Sequence, residues 1–549
     1  MTQPSITLFT KPGCPYCDRA KTVLDQLRLT YEERNVKANR RNADESVSFS
    51  GIATVPQVFI GDYVINGAED LAQLNQAQRL LPIVHAVENE LPLDSVGDAV
   101  LARQAEDVLL RELIPQRDES RSNDPETWPI LRFYQQFFGF WPNTFAYLSH
   151  WPAAYKLFVY CHNFSAVGLA KQALGDTNMY ATAYATSNAH GCSYCQVYSA
   201  ATGGDESLQV IQQLQQAKTG QADANNPFGP LEIALADLAA EAVRNQPDPI
   251  LVPTLIKKIE VLSETPEKAQ GYLTGVEMIV AAFGFLNVFN DLMGLEIEGD
   301  WAQQASKQTG IEAGRHGCAS QNPNNLDYDL PTDGPSLKDM LAQYDAAVTD
   351  LSIYTHSELG LLPAWMQAWP QALVKRHAHF YCEVMGERGH TMLSSELKHL
   401  MARVSAIAKD HAYLAAVEGF MAHHAAADRD RAVARVQYCF AAATGRLPVG
   451  DLFSEREKAA LQFAWLSAQT PLHTPRHFIQ AALDHYSHQE LVHLSTVCSM
   501  ASMVQRFVVI AQPEVEPIVT EFLRQYSLES TPLALRYPMP VGQRRAIAI

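Results

Sequence analysis

SITLFTKPGCPYCDRAKTVLDQL, residues 5–27, opens with a short apolar run and then changes period. SITLF at 5–9 reads as a buried strand, and from Cys14 to Leu27 the apolar residues recur at helical spacing behind a proline-containing turn. The two thiols of CPYC therefore sit where a helix begins. There the free N–H groups and the positive end of the helix dipole favour a thiolate, and Lys11 adds a cation. Comparable Cys-X-X-Cys sites have thiol pKa values lowered from about 8.5 into the range of about 3.5–7.5. Cys14 is the expected attacking sulfur, and Cys17, one helical turn on, is placed to resolve the mixed disulfide. Outward from this stretch, TVPQVFIGDYVI at 54–65 gives two short strands around a turn, and GAEDLAQLNQ at 67–76 opens another helix.

CPYC at 14–17, TVP at 54–56 and NGAEDL at 66–71 together resemble a dithiol glutaredoxin, in order and in approximate spacing. The resemblance implies a thioredoxin-like α/β domain, a cis Pro56, glutathione as reductant, and glutathione contacts at Lys11, Tyr16, Val55, Pro56, Gly67, Ala68 and Glu69. The physics of the last group agrees, because a helix N-terminus with exposed N–H groups is an anion site. Asn66-Gly67 stands where the family usually has Gly-Gly. A zinc half-site would need a second thiol pair at suitable spacing, and the next pair is Cys192/Cys195. No metal is predicted.

At 549 residues, 47% apolar and 19% charged, the chain is too long for one ordinary domain and too apolar to be disordered over most of its length. A formal charge of -18 argues against nucleic acid as a main partner. The start, MTQPSITLF, lacks the pattern of a secretory signal, and the longest apolar stretch, Met278 to Phe289, is interrupted by Asn287. A cytoplasmic protein with no membrane partner is expected. Beyond residue 85 an amphipathic helical pattern runs to 114, and PQRDESRSNDPETWP, from 115, reads as a linker. The remainder is read as all-helical.

That remainder repeats. FAYLSHWPAAYKLFVYCHNF at 145–164 matches PAWMQAWPQALVKRHAHFYC at 363–382, so Trp151-Pro152 corresponds to Trp369-Pro370, 218 residues on. At nearly the same offset Tyr194 meets Tyr413, and 228–239 meets 453–464 after a small insertion. A fused pseudo-dimer is the economical explanation. The fold class is thus multi-domain α+β: a thioredoxin-like domain at 1–85, a helical segment and linker at 86–127, a helical repeat at 128–315, a linker at 316–336, a degenerate repeat at 337–527 and a tail at 528–549.

AHGCSYCQVYSAATGG at 189–204 holds the second pair, Cys192 and Cys195, inside a helical pattern. With WPNTFAYLSHWPAAYKLF, PLEIALADLA and FGFLNVFNDLMGLEIE, it resembles the AhpD-like alkylhydroperoxidase and carboxymuconolactone decarboxylase family. The resemblance implies that Cys195 is the reactive thiol. The positions where the peroxidase branch carries its glutamate and histidine proton relay are Tyr180 and Ser199 here. Without a base beside Cys195, general acid-base effects of about 100- to 10,000-fold are forgone. His190 is a substitute candidate, although on a continuous helix it would point away from Cys192. In the second repeat His411 and Leu414 replace the cysteines, and His411 with Glu418 is a candidate modified site.

Histidines at 377/379, 423/424 and 485/488 are read as surface or interface residues, and Cys161, Cys382, Cys439 and Cys498 as small buried hydrophobes. Cys318, in a Gly/Asn/Pro-rich loop, is a candidate accessible thiol. Taken together, these motifs lead to the expectation of a glutathione-linked thiol-disulfide oxidoreductase of homo-oligomeric habit. Its CPYC site, Cys14 and Cys17, passes electrons to CSYC, Cys192 and Cys195, for reduction of hydroperoxides, a peroxiredoxin or another protein disulfide. The alternatives are an oligomerising scaffold or redox sensor, and a decarboxylase-like enzyme.

Overall fold

The computed structural model describes residues 5–38, 42–43, 46, 55–61, 63–89, 91, 107–245, 247–320, 324–387, 392–444 and 449–528. The first of its two parts is a small sheet of order β2-β1-β3-β4: β1 (Ile6–Thr10), β2 (Tyr31–Asn35), β3 (Gln57–Ile60) and β4 (Tyr63–Asn66). β2 runs parallel to β1, which requires a crossover, and α1 (Pro15–Gln26) supplies it. β3 and β4 complete the sheet in antiparallel register. Ile6, Leu8, Val58 and Ile60 are buried against α1, α2 (Ala68–Gln76) and α3 (Leu80–Glu88), whose own core residues are Ala20, Leu24, Leu71, Leu74 and Ile83. β2, YEERN, has no alternating apolar pattern because it is an edge strand. Its charges pair along the surface, Lys21 with Glu33 and Arg34 with Glu32, and cover the open edge.

The second part is helical from residue 128 onward among the described residues. Two segments read as linkers or helix are instead seated on it. Of the 86–114 segment expected to be an amphipathic helix, residues 90 and 92–106 lie outside the described ones, and 107–114 are an extended strap with one 3-10 turn: Asp107 pairs with Pro475, and Val108 N–H donates to Thr474 O at 2.8 Å. The charged stretch after it is tied down side chain by side chain, with Lys156 reaching both Asp124 and Glu126. The 316–336 segment is likewise fastened, through Arg132 to the carbonyls of Pro331 and Pro335 and through Gln135 to those of Leu326 and Tyr328. Loops that satisfy their backbone carbonyls on side chains of the body behave as part of it.

Four helices frame each half: α4 (Ala166–His190, interrupted at Gly175), α5 (Ser193–Ala201), α6 (Pro230–Glu241) and α7 (Pro266–Met293), then α8 (Ser395–Ala408), α9 (Ala412–Ala425), α10 (Glu455–Ser467) and α11 (His488–Ala511). The same hydrogen bonds recur in both. Asn287 donates to Ser187 at 3.2 Å, and 218 residues on Gln505 donates to Ser405 at 2.9 Å. Tyr194 donates to Glu298 at 3.3 Å and Tyr413 to Glu516 at 3.0 Å, and each glutamate also accepts a backbone N–H, from Asn143 or Ala364. Cys192 Sγ caps α5 by accepting from Cys195 N–H, and His411 Nδ1 caps α9 by accepting from Leu414 N–H, each at 3.4 Å.

α7 and α11 are both long and apolar enough to cross a membrane by length and composition. They pack against each other instead, with 67% and 94% of their most apolar windows buried inside the protein. Their approach is closest at Gly284, where a Cβ would meet Met503 Cα at 3.0 Å and the Ser502 carbonyl and Arg506 Cδ at 3.1 Å. Gly284→Leu therefore forces the two helices apart and is expected to cost about 1–3 kcal/mol, read as a lowered urea midpoint at unchanged slope.

Candidate functional site

Cys14 and Cys17 form a disulfide at the start of α1. Cys14 is the N-cap, its sulfur accepting from Cys17 N–H at 3.2 Å, which is the dipole end that stabilises negative charge on that sulfur once it is reduced. Cys14 Sγ lies 3.6 Å from Val55 O, beside a cis Val55–Pro56 bond. Tyr16 stands out at 59% exposure, with Arg19 stacked on its ring at 4.8 Å and reaching Glu69 at 3.8 Å. Gly67 caps α2 next to the Pro56 carbonyl, and Ala68 opens that helix. Tyr16, Val55, Pro56, Gly67, Ala68 and Glu69 thus border one rim around Cys14, while Lys11 is exposed on the turn before it. Arg19, on the outer face of α1, joins this rim and was not singled out in the sequence, where it reads as a solvated helix charge.

The second pair is built differently from the sequence expectation. α4 ends at His190, Gly191 turns the chain at φ +92°, and a new helix starts after Cys192, so the pair is not inside one helix. His190 is consequently turned toward the same cluster as Cys192. Its Nε2 faces Asp291 Oδ2 at 3.2 Å, off the line of a good hydrogen bond, while His316 Nε2 meets Asp291 Oδ1 at 2.9 Å. Sulfur of Cys192, a carboxylate oxygen of Asp291 and a ring nitrogen of His316 lie within 4.8 Å of one another. Asp291 Oδ1 and His316 Nε2 are themselves joined directly by a hydrogen bond. Burial pushes the Asp291 carboxyl up, but the contacts of His190 and His316 outweigh it and hold it well below the usual range. Burial also pushes the Cys192 thiol well up and brings His190 down to about 4.

Cys195 is the thiol that faces a cavity. The space, about 420 Å³, is walled by aromatic rings including Phe133, Phe138, Tyr194, Tyr198 and Phe283, and Cys195 Sγ accepts a hydrogen bond from Asn290 Nδ2 at 3.3 Å on its edge. Tyr180 and Ser199 both line this cavity, but neither reaches Cys192. The Ser199 hydroxyl donates to Cys195 O at 2.8 Å, and burial keeps the Tyr180 phenol neutral by raising it. Glu298, in the wall behind Tyr194, is pushed up to about 7 by burial. Arg506 from α11 completes the group, donating to His190 Nδ1 at 2.9 Å and to Asn287 Oδ1 at 2.7 Å.

Asn290, Asp291, His316 and Arg506 were missed in the sequence. A signal existed for three of them, since Asn-Asp inside FGFLNVFNDLM and a lone arginine in VQRFVVI are polar residues where a buried helix should be apolar. The other candidate pairing does not form: His411 caps α9, whereas Glu418 accepts from Tyr381 at 3.0 Å and pairs with His399 at 2.7 Å. Cys161, Cys382, Cys439 and Cys498 are buried and Cys318 is exposed. His377 is not a surface residue. It is fully buried, 3.0 Å from His162 and stacked on Trp369 at 3.7 Å.

Residues 6–65 match the family model for glutaredoxins. Over 80 residues the chain is 35% identical to Glutaredoxin 3 of Escherichia coli strain K12, which spans 15% of this chain and 96% of that protein. Over 69 residues it is 45% identical to the hybrid peroxiredoxin hyPrx5 of Haemophilus influenzae, 13% of this chain and 28% of that protein. Among solved structures, the apo debrominase Bmp8 aligns with 33% of this chain and 94% of its own, at 18% identity and a TM-score of 0.28.

Four buried histidines give the stability a defined pH dependence. Burial lowers His162 to about 3, His190 and His411 to about 4, and His377 also well down, against about 6.5 in an unfolded chain. Between those values the unfolded state binds more protons, so stability is present above about pH 6.5 and is lost as the pH falls toward 4. Urea midpoints at pH 7, 6 and 5 are expected to fall in that order, and His162→Phe, placed among Phe158, Trp369 and Phe380, is expected to flatten the slope.

Proposed function

Because the chain belongs, through its N-terminal domain, to the glutaredoxin family, we propose that it is a glutathione-linked hydroperoxide reductase whose AhpD-like helical region performs the reduction. Glutathione thiolate attacks the Cys14–Cys17 disulfide and a second glutathione releases the dithiol, leaving oxidised glutathione. Cys14 thiolate then attacks the Cys192–Cys195 disulfide, and Cys17 closes onto Cys14 to free the second pair as thiols. At that pair, Cys195 thiolate attacks the O–O bond of a hydroperoxide, giving Cys195 sulfenic acid and an alcohol. Cys192 displaces hydroxide from that sulfur to close the disulfide, and water leaves.

The observation that carries this reading is the placement of Cys195. It opens onto an apolar, ring-lined cavity of about 420 Å³, a size that suits a small organic molecule and not the surface of a protein disulfide. Cys192 and Cys195 are 0% and 1% exposed, so exchange with Cys14 requires the helical part to open transiently around the Gly191 turn. Joining donor and acceptor in one chain raises their effective concentration, which offsets the rarity of such an opening.

With glutathione, glutathione reductase and NADPH present, addition of cumene hydroperoxide is expected to drive NADPH oxidation. Cys195→Ser and Cys14→Ser should each reduce it to background, and Cys17→Ser should accumulate a Cys14 adduct with Cys192 or Cys195 visible by mass spectrometry. Turnover of Cys195→Ser at the wild-type rate would remove the helical site from the reaction.

A further inference from the structure

We propose that His190, Asp291 and His316 form the proton relay of Cys192, and that Arg506, contributed by the half of the chain without a cysteine pair, is the positioning residue that sets it. The inference rests on the reading above only in that Cys192 and Cys195 cycle between thiols and disulfide; the identity of the oxidant does not enter.

The hydrogen-bond pattern fixes where the protons sit. A guanidinium offers donors only, so the His190 Nδ1 that faces Arg506 is an acceptor, and the proton of His190 is on Nε2, toward Asp291. His316 has an oxygen at each ring nitrogen, Leu295 O at 2.8 Å from Nδ1 and Asp291 Oδ1 at 2.9 Å from Nε2. A neutral imidazole satisfies one of them and leaves two lone pairs facing each other at the second. The contact therefore holds one further proton, shared between His316 Nε2 and Asp291 Oδ1, in a cluster where a ring nitrogen of His316, a carboxylate oxygen of Asp291 and Cys192 Sγ lie within 4.8 Å of one another.

That proton has work in both directions of the cycle. When the disulfide closes, the Cys192–Cys195 S–S bond forms and the S–O bond of Cys195 sulfenic acid breaks. The relay gives its proton to the departing hydroxide and is refilled by the Cys192 thiol, with water as the product. When Cys14 thiolate reduces the disulfide at Cys195, Cys192 leaves as a thiolate and takes its proton from His316; the proton that Cys17 loses on closing onto Cys14 refills the relay, and Cys195 is released as the thiolate. No charge is left unpaired in a buried site at either stage, which in a low-dielectric interior is the larger part of the barrier.

The two halves support the assignment by what they have kept and lost. The Tyr–Glu and amide–serine bonds of the scaffold survive in both. At the positions of Asn290 and Asp291, however, the second half carries Val508 and Val509, and His411 stands for Cys192. Thiol and carboxylate disappear together there, as parts of one device would. Conversely, Arg506 lies opposite Val288 in the alignment, so only α11 can supply it.

The test measures closure of the Cys192–Cys195 disulfide in the reduced full-length protein, using diamide, a thiol-oxidising agent that needs no hydroperoxide chemistry, between pH 5 and 9. A Cys14→Ser/Cys17→Ser background isolates the second pair. The charged or titratable groups facing Cys192 are Asp291 from α7, His190 from α4, His316 from the 314–316 turn, Arg506 from α11 and Cys195 from α5, with Lys409 acting on His190. Asp291→Asn is expected to slow closure at pH 7 by about 100-fold or more. Arg506→Met should displace the pH profile, and Arg506→Lys should restore much of it, which loss of packing alone would not do. If Asp291→Asn fails to fold, the arginine pair still decides. Wild-type profiles in both Asp291→Asn and Arg506→Met, or equal displacement in the Lys and Met variants, overturn the relay. A displaced profile in a protein that does not consume hydroperoxide upholds the relay and rejects only the substrate reading.

Discussion

The packing of α7 against α11 is the contact on which the helical part depends. Each helix is apolar enough that, left alone, it would expose a continuous greasy face along more than twenty residues, and each finds in the other the surface that covers it. The absence of a side chain at Gly284 lets the axes come close enough for the Arg506 side chain to lie across α7 and reach His190. The same crossing thus solves a burial problem and delivers a cation to a site that no single half contains.

The two cysteine pairs sit in different surroundings. Cys14, itself 4% exposed, is placed at a helix start beside the exposed ring of Tyr16. Cys192 sits at an equivalent helix start, with the same cap geometry, beside the buried groups Asp291 and His316. A helix N-terminus favours the thiolate in both, yet burial opposes it in the second and dominates, so the second thiol has to be managed by neighbouring acids and bases.

How much of this could be read in the sequence follows from how local each signal is. Strand, turn and helix at 5–27 are set by residues adjacent in the chain, and both thiol pairs announce themselves by spacing. The repeat was legible because the Trp-Pro at 151–152 recurs at 369–370 in matching surroundings. β2 was not, since an edge strand needs no apolar alternation, and the strap at 107–114 imitates a helix pattern because Val108, Leu110 and Ile114 are buried in a segment that pairs with Pro475, hundreds of residues away. The cluster around Cys192 was invisible for a related reason: its members come from residues 190, 291, 316 and 506, and the turn at Gly191 that aims His190 is a single backbone angle. Asn290-Asp291 stood in a quoted motif as polar residues in an apolar helix, a clue to a buried site that spacing rules alone do not interpret.

Fusion of the two halves has a consequence that reaches beyond stability. In a symmetric homodimer every substitution occurs twice, related by the axis; within one chain the two halves differ residue by residue, and Arg506 stands opposite Val288. One half holds the cysteine pair while the other supplies the wall and the cation beside it, an inequality that identical subunits cannot hold.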